Sequence, residues 1–303
     1  MAQTAVSACL WGTSFPVIAV AIAGGLDPIV FVFLRFLVAA PLMLLAAVLL
    51  KKRVWALLRD KGVWVVAFFN AVGFLSQFVG QQFTGAAIAA LLVNLSVIFA
   101  AIGGTALLGE RLGTYKAIGV ALAFIGTFLV ASGGDLSTLN GGQLTGGTLY
   151  LLAALSWAGY IIYAKEKGDK GDWDPVAVAA CIVTLTALFL VPALAFVRGP
   201  FPFSPGAWAA IAFTAGANTA LPFVLYQAGL RRLTAAASAV VLTLEILVAL
   251  GISVALLDES FTPVSLLGAV AILASILLVS GVEVSGKSLS VTQTNASRVK
   301  VSQ

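Results

Sequence analysis

Long apolar runs alternate with short polar breaks along most of this chain. Ten of the runs come close to or exceed the ~20 residues that a helix needs to cross the hydrocarbon of a bilayer. They fall at approximately 3–23, 28–50, 62–82, 86–108, 114–132, 144–165, 175–197, 206–229, 234–257 and 262–282. Each predicts a membrane-spanning helix, and the fold class expected is an all-α polytopic membrane protein of ten transmembrane helices. Gly133–Gln143, GGDLSTLNGGQ, is rich in glycine and carries one charge. It reads as a linker loop between two five-helix halves, residues 1–132 and 144–282. From 283 to 303 the composition turns to Ser, Thr, Lys and Asn, which predicts a disordered cytoplasmic tail.

The two halves repeat one another. Ala86–Glu110 reads AAIAALLVNLSVIFAAIGGTALLGE, and 149 positions later Ala235–Glu259 reads AAASAVVLTLEILVALGISVALLDE. They align without a gap and are identical at 9 of 25 positions, the closing glutamates included. Leu10–Val17, LWGTSFPV, has a counterpart in Ser156–Tyr163, SWAGYIIY, which pairs Trp11 with Trp157. Asp27-Pro28 pairs with Asp174-Pro175, each opening the next span. Five helices is an odd number, so the second copy must enter the membrane from the opposite side. Inverted repeats of this kind place a binding site near the midplane between the copies.

Composition agrees with a membrane setting. Only 10% of residues are charged and mean hydropathy is +1.08, whereas a soluble domain carries about 25% charge. A net charge of +5 and a pI near 9.4 would suggest nucleic acid in a soluble chain. Here the basic residues occupy short loops, so they report topology and no nucleic-acid partner is expected. With the N-terminus inside, the inner loops and tail hold 15 of the 17 basic residues. Lys51, Lys52, Arg53, Arg59 and Lys61 form the densest group. Both termini are therefore expected in the cytoplasm, in an inner (plasma) membrane. The N-terminal MAQTAVSACLWG lacks a basic n-region and reads as the first span rather than a cleaved signal peptide. The chain has no histidine, the commonest general base and metal ligand. No catalytic residue, metal site or cofactor is expected. Cys9 and Cys181 sit in apolar runs and read as small buried hydrophobes.

A WGTSF stretch in the first helix, a fourth helix ending LLGER and two five-helix halves resemble the EamA family of the drug/metabolite transporter superfamily. YddG-type aromatic amino-acid exporters are among that family's relatives. The resemblance covers residues ~5–282 and implies an inverted repeat, alternating access, and export of amino acids or other amphipathic metabolites. Members often carry proline after the acidic position of the ninth helix. Here Ile246 follows Glu245, and Val97 follows its repeat mate Ser96.

Glu245 is the sharpest polar feature within a span. At ~12 residues from either end it lies ~18 Å deep, where a carboxylate costs about 2.5–3.5 kcal/mol to insert. Two readings stand: a proton-coupling or cation-recognising group, or half of a structural ion pair. Arg35 is the other charge inside a span, expected to pair with Glu245 or to snorkel to the outer surface in preference to contacting a substrate. Uncharged polar and aromatic groups form stripes: Asn70, Gln77 and Gln81 on the third helix, and Asn94 on the fourth opposite its mate Thr243. Asn218 and Tyr226 mark the eighth helix, Trp157 and Tyr160 the sixth, Trp11 and Ser14 the first. Together they predict a wet substrate-binding cavity, although any one of them could be interhelical glue. Gly119, Ala123, Gly126, Gly268 and Ala271 predict close packing of the fifth and tenth helices, or a homodimer contact. Glu110 and Glu259, at span ends, are expected to act as caps or loop partners.

The leading function is a secondary transporter of a small organic molecule in a lipid bilayer. No GxxxxGK(S/T) loop is present, so the chain brings no ATPase of its own. A passive channel is the alternative. An intramembrane enzyme would need paired acids, a nucleophile with its base, or a metal cluster.

Overall fold

All regular structure among the described residues is helical. The computed structural model describes residues 1–83, 86–110, 112–135, 144–171, 173–197, 204–256, 262–279 and 281–282. Expectations for the 283–303 tail, for Glu259 and for most of the 133–143 loop lie outside these residues. Six helices are long and apolar enough to cross a membrane: α1 (Ala2–Ala23), α2 (Pro28–Leu49), α3 (Lys61–Gly80), α6 (Thr145–Lys170), α7 (Pro175–Phe196) and α8 (Pro205–Leu230). Shorter apolar helices fill the remaining runs: α4 (Leu95–Leu108), α5 (Thr114–Leu129), α9 (Ala235–Ala249) and α10 (Pro263–Val279). The chain is a multi-pass membrane protein.

Local chemistry explains where these helices start. Asp27 Oδ1 accepts from the amides of Ile29 (2.8 Å) and Val30 (3.2 Å). Asp174 Oδ1 does the same for Val176 (3.0 Å) and Ala177 (3.1 Å). Proline follows both as the first helical residue, where its missing N–H costs nothing. The Asp-Pro pair seen in the sequence is thus one N-capping device used twice. Burial pushes the Asp174 carboxyl up, but the bond from Lys52 and the two amides outweigh it and hold the group below its ordinary value.

Three helices are interrupted, and these interruptions place the site. α1 breaks at Thr13. Pro16 brings no N–H for the carbonyl of Gly12 four residues back, and the hydroxyls of Thr13 and Ser14 turn back onto Leu10 O and Trp11 O, both at 2.7 Å. α8 carries one π-helical turn, Gly216–Ala220, just before Pro222. α9 breaks at Thr243, whose hydroxyl returns to Val240 O at 2.7 Å. The ninth helix is therefore interrupted at Thr243 although no proline stands there.

Glycines set the tightest approaches. A Cβ at Gly73 would fall 3.1 Å from the Trp157 ring, which seats α3 against α6. One at Gly126 would fall 2.7 Å from the Gly268 carbonyl oxygen. The small residues of α5 and α10 thus face each other within the chain, which accounts for them without a second copy. Glu110, just beyond α4, accepts from the Ala235 amide with both oxygens, at 2.8 and 3.0 Å. The expected cap is real, and it joins the first half to the second. Cys181 is buried, but Cys9 is exposed on α1; the expectation that both are buried holds for one only.

Candidate functional site

Arg35 and the π-turn of α8 form the centre of the site. Pro222 cannot donate to the Asn218 carbonyl, and that carbonyl accepts from Arg35 Nη2 at 2.7 Å. Arg35 Nε donates to Thr219 Oγ1, also at 2.7 Å, and the Thr219 hydroxyl donates in turn to Thr214 O at 2.9 Å. Asn218 uses its side chain on the other broken helix. Its Nδ2 donates to Thr13 Oγ1 at 2.7 Å and makes a short bond to Leu10 O. Asn218 and Thr219 are fully buried. One polar chain therefore runs from the break in α1, through the π-turn of α8, to the arginine of α2.

The two routes expected for Arg35 are corrected. It does not snorkel, since only 1% of it is exposed. It does not pair with Glu245, because its bonds go to a hydroxyl and a carbonyl. The reason is the π-turn, which presents a freed carbonyl and a threonine hydroxyl to one edge of the guanidinium. The Phe36 and Phe74 rings lie 5.8 and 5.0 Å from its central carbon and supply cation–π attraction in place of a carboxylate. The third nitrogen, Nη1, is buried and has no partner among the described residues.

Glu245 lies on the other side of α1. It is partly buried, in the first turn of the helical segment that follows Thr243, where the helix dipole favours an anion. Gly12 permits the contact: a Cβ there would fall 2.5 Å from the Glu245 carbonyl oxygen. No described cation pairs with the Glu245 carboxylate.

An aromatic chain links the two charges. Trp11 meets Phe223 at 5.5 Å and Tyr226 at 5.3 Å; Tyr226 stacks on Tyr160 at 6.0 Å. Tyr160 meets Trp157 at 6.0 Å, and Trp157 meets Phe74 at 4.7 Å. The phenols are held from the polar side: Gln227 Nε2 donates to Tyr160 Oη at 2.7 Å and Ser238 Oγ to Tyr226 Oη at 3.2 Å. Trp11 Nε1 and Asn218 Oδ1, like Arg35 Nη1, are buried without a partner. Buried polar atoms are normally paired, so three orphans around one aromatic cluster mark a place where a ligand can supply the missing bonds.

Of the residues picked from sequence, Trp11, Trp157, Tyr160, Asn218 and Tyr226 come together here with Arg35, and Glu245 borders them. Ser14 and Thr243 lie at the helix breaks and spend their hydroxyls on their own backbones. Asn70 is elsewhere: its Nδ2 donates to Thr186 at 2.9 Å and ties α3 to α7. Gln77 is buried, and Gln81 is the partly exposed cap of α3. The Asn94 side chain lies outside the described residues. Sequence reading missed Thr13, Phe74, Thr219, Phe223, Gln227 and Ser238. Thr219 beside Asn218, three residues before Pro222, was the one legible hint.

Comparison with known proteins now adds to this geometry. The sequence profile of the EamA-like transporter family matches residues 2–132 and 144–281. An uncharacterized transporter of Bacillus subtilis, YyaM, is 26% identical over 258 residues, 82% of this chain and 83% of its own. An uncharacterized transporter of Archaeoglobus fulgidus is 30% identical over 218 residues, 69% of this chain and 72% of its own. A solved crystal structure superposes with a TM-score of 0.74 at 17% identity, over 91% of this chain and 94% of its own, which speaks to the fold alone.

Proposed function

This chain belongs to the EamA-like transporter family, and from that premise we propose that it is a secondary transporter that moves a small amphipathic organic molecule by alternating access. In this reading the six long and four shorter apolar helices make ten crossings, arranged as two inverted five-helix repeats. Both termini lie in the cytoplasm, and the substrate is an amino acid or a compound like one, moved outward. The two stretches matched by the family profile coincide with the two repeats read from the sequence, which supports that arrangement.

The observation that carries the proposal is the meeting of two broken helices, α1 and α8, at one buried polar and aromatic cluster. Interrupted spans at mid-membrane free backbone groups for a substrate and give the halves points about which to rock. The unpaired Arg35 Nη1, Trp11 Nε1 and Asn218 Oδ1 offer two donors and one acceptor. The rings of Trp11, Tyr160, Tyr226 and Trp157 offer the apolar surface of a substrate its contacts. Glu245 responds to the state of the cycle, by proton exchange or by holding a cationic group.

Counterflow in proteoliposomes tests this. Substrate loaded inside should accelerate uptake of labelled substrate from a panel of amino acids and related metabolites. Uptake that does not respond to internal substrate would mean a passive channel. Glu245→Gln separates the roles of the carboxylate: loss of proton-driven uptake with counterflow retained indicates coupling, and loss of both indicates substrate contact.

A further inference from the structure

The reversal between α2 and α3 plays no part in the site above. Lys51 lies in the left-handed region (φ 53°) and turns the chain out of α2. A short helix, Val54–Leu58, follows, with Arg53 before it and Arg59 after it; α3 then opens with Lys61. Val54 and Leu57 are buried, and the Cys181 thiol donates to Val54 O at 3.6 Å, which pins the inner side of this helix to α7. The outer side carries Trp55, which is 75% exposed.

Charge on this reversal is unbalanced. Lys52 is taken by Asp174 at 2.8 Å. Asp60, the carboxylate within the stretch, is engaged on both oxygens, by the Gly62 amide (2.8 Å) and by Trp173 Nε1 (2.9 Å). The side chains of Lys51, Arg53, Arg59 and Lys61 have no hydrogen-bond or ion-pair partner among the described residues. Immediately beside them α2 presents an exposed apolar stripe of Leu42, Leu45, Val48 and Leu49. Four cationic side chains, an exposed tryptophan among them and an adjoining apolar stripe match the parts of a phospholipid: headgroup phosphate, interfacial glycerol and acyl chain.

We propose that the 51–61 reversal is a binding site for an anionic phospholipid. The phosphate is held by Lys51, Arg53, Arg59 and Lys61, the glycerol region lies against Trp55, and an acyl chain runs along the α2 stripe. The stripe and Trp55 are what favour a lipid over a free anion, which would need the cations alone.

The test uses the full chain purified in detergent, with native mass spectrometry of bound lipid. Offered equal amounts, the protein should retain phosphatidylglycerol in preference to phosphatidylcholine. Lys51→Gln/Arg53→Gln should weaken phosphatidylglycerol binding by about fivefold per charge removed, and Arg59→Gln/Lys61→Gln should do the same. Lys165→Gln/Lys170→Gln removes two cations already paired, at 2.7 and 2.6 Å, and should leave binding unchanged. A salt titration on the unaltered chain guards against misfolded variants: raising ionic strength from 0.1 to 1 M should release the lipid. Equal retention of both lipids, wild-type affinity in both paired variants, or no release by salt would each overturn the proposal. Displacement of phosphatidylglycerol by millimolar inorganic phosphate, with no effect of Trp55→Ala, would assign the cations to a free anion and overturn it too.

Discussion

Asn218 Nδ2 donates to Thr13 Oγ1 across 2.7 Å, and that bond joins the interruption in α8 to the interruption in α1. The same residue offers its backbone carbonyl to Arg35. Three helices therefore meet on one asparagine. Asn218→Leu should remove both side-chain bonds, leaving the Thr13 hydroxyl without the donor it accepts from and the Leu10 carbonyl with only the Thr13 hydroxyl. The expected cost is about 1–3 kcal/mol, seen as a lower unfolding midpoint in detergent. An unchanged midpoint would mean that the bridge contributes nothing.

Arg35 holds Thr219 with Nε and Asn218 O with Nη2, a two-pronged grip fitted to the planar guanidinium. A lysine ammonium is a point charge that cannot reproduce it. Arg35→Lys should keep the charge and still lose roughly 1.5–3 kcal/mol of stability, the range for a hydrogen bond to a charged group. Denaturant midpoints equal to wild type would show that the charge alone suffices.

Two helical glycines, one at the contact of α1 with α9 and one away from it, give opposite expectations. A Cβ at Gly12 would lie 2.5 Å from the Glu245 carbonyl oxygen and 2.8 Å from Val248 Cβ, so α1 and α9 must move apart. Gly12→Ala is expected to cost about 1–3 kcal/mol. At Gly251 a Cβ meets nothing within 4 Å, and Gly251→Ala should stabilise by about 0.5–1 kcal/mol through helix propensity. Thermal melts of the two single variants decide it; similar shifts would reject the close approach.

Burial raises the Glu110 carboxyl above its ordinary value of 4.5, while the Ala235 amide and the charges of Lys116 and Lys165 oppose part of that rise. An acid whose folded value lies above its unfolded one binds its proton more tightly when folded. Its contribution to stability is complete below pH 4.5 and is lost as pH climbs through the folded value. Relative to Glu110→Gln, which has no such proton, the wild type should therefore lose stability as pH rises across that window. A constant difference between the two melting curves from pH 4 to pH 8 would refute the shift.

Helix positions were legible because a bilayer offers the backbone no partner except its own helix, so every crossing must be a continuous apolar run. The six long and four shorter apolar helices each overlap a run marked in the sequence, and the ends of the six long ones differ from it by up to five residues, as where Thr145–Lys170 outruns 144–165. The Asp27-Pro28 and Asp174-Pro175 starts were legible for a similar reason, since capping is settled within three residues. Four aromatic members of the site, Trp11, Trp157, Tyr160 and Tyr226, could be picked out because each shares a helix face with a second polar or aromatic residue. Phe74 and Phe223 carried no such mark. The partners of the polar groups were not legible. Pro16 and Pro222 announce that carbonyls are freed, but which donor reaches each one depends on how α1, α2 and α8 cross. Arg35 shows the difference. Its sequence position names a buried cation and suggests Glu245 by depth, yet the π-turn of α8 brings Thr219 and the Asn218 carbonyl within bonding distance first. Asn70 shows it again: the sequence offered a buried amide on α3, and the packing gives its Nδ2 the Thr186 hydroxyl on α7. Hydropathy depends on each residue's own transfer energy and can be read along a line. Hydrogen-bond pairing between helices depends on rotation and depth of both partners, and those are decided only when the bundle packs.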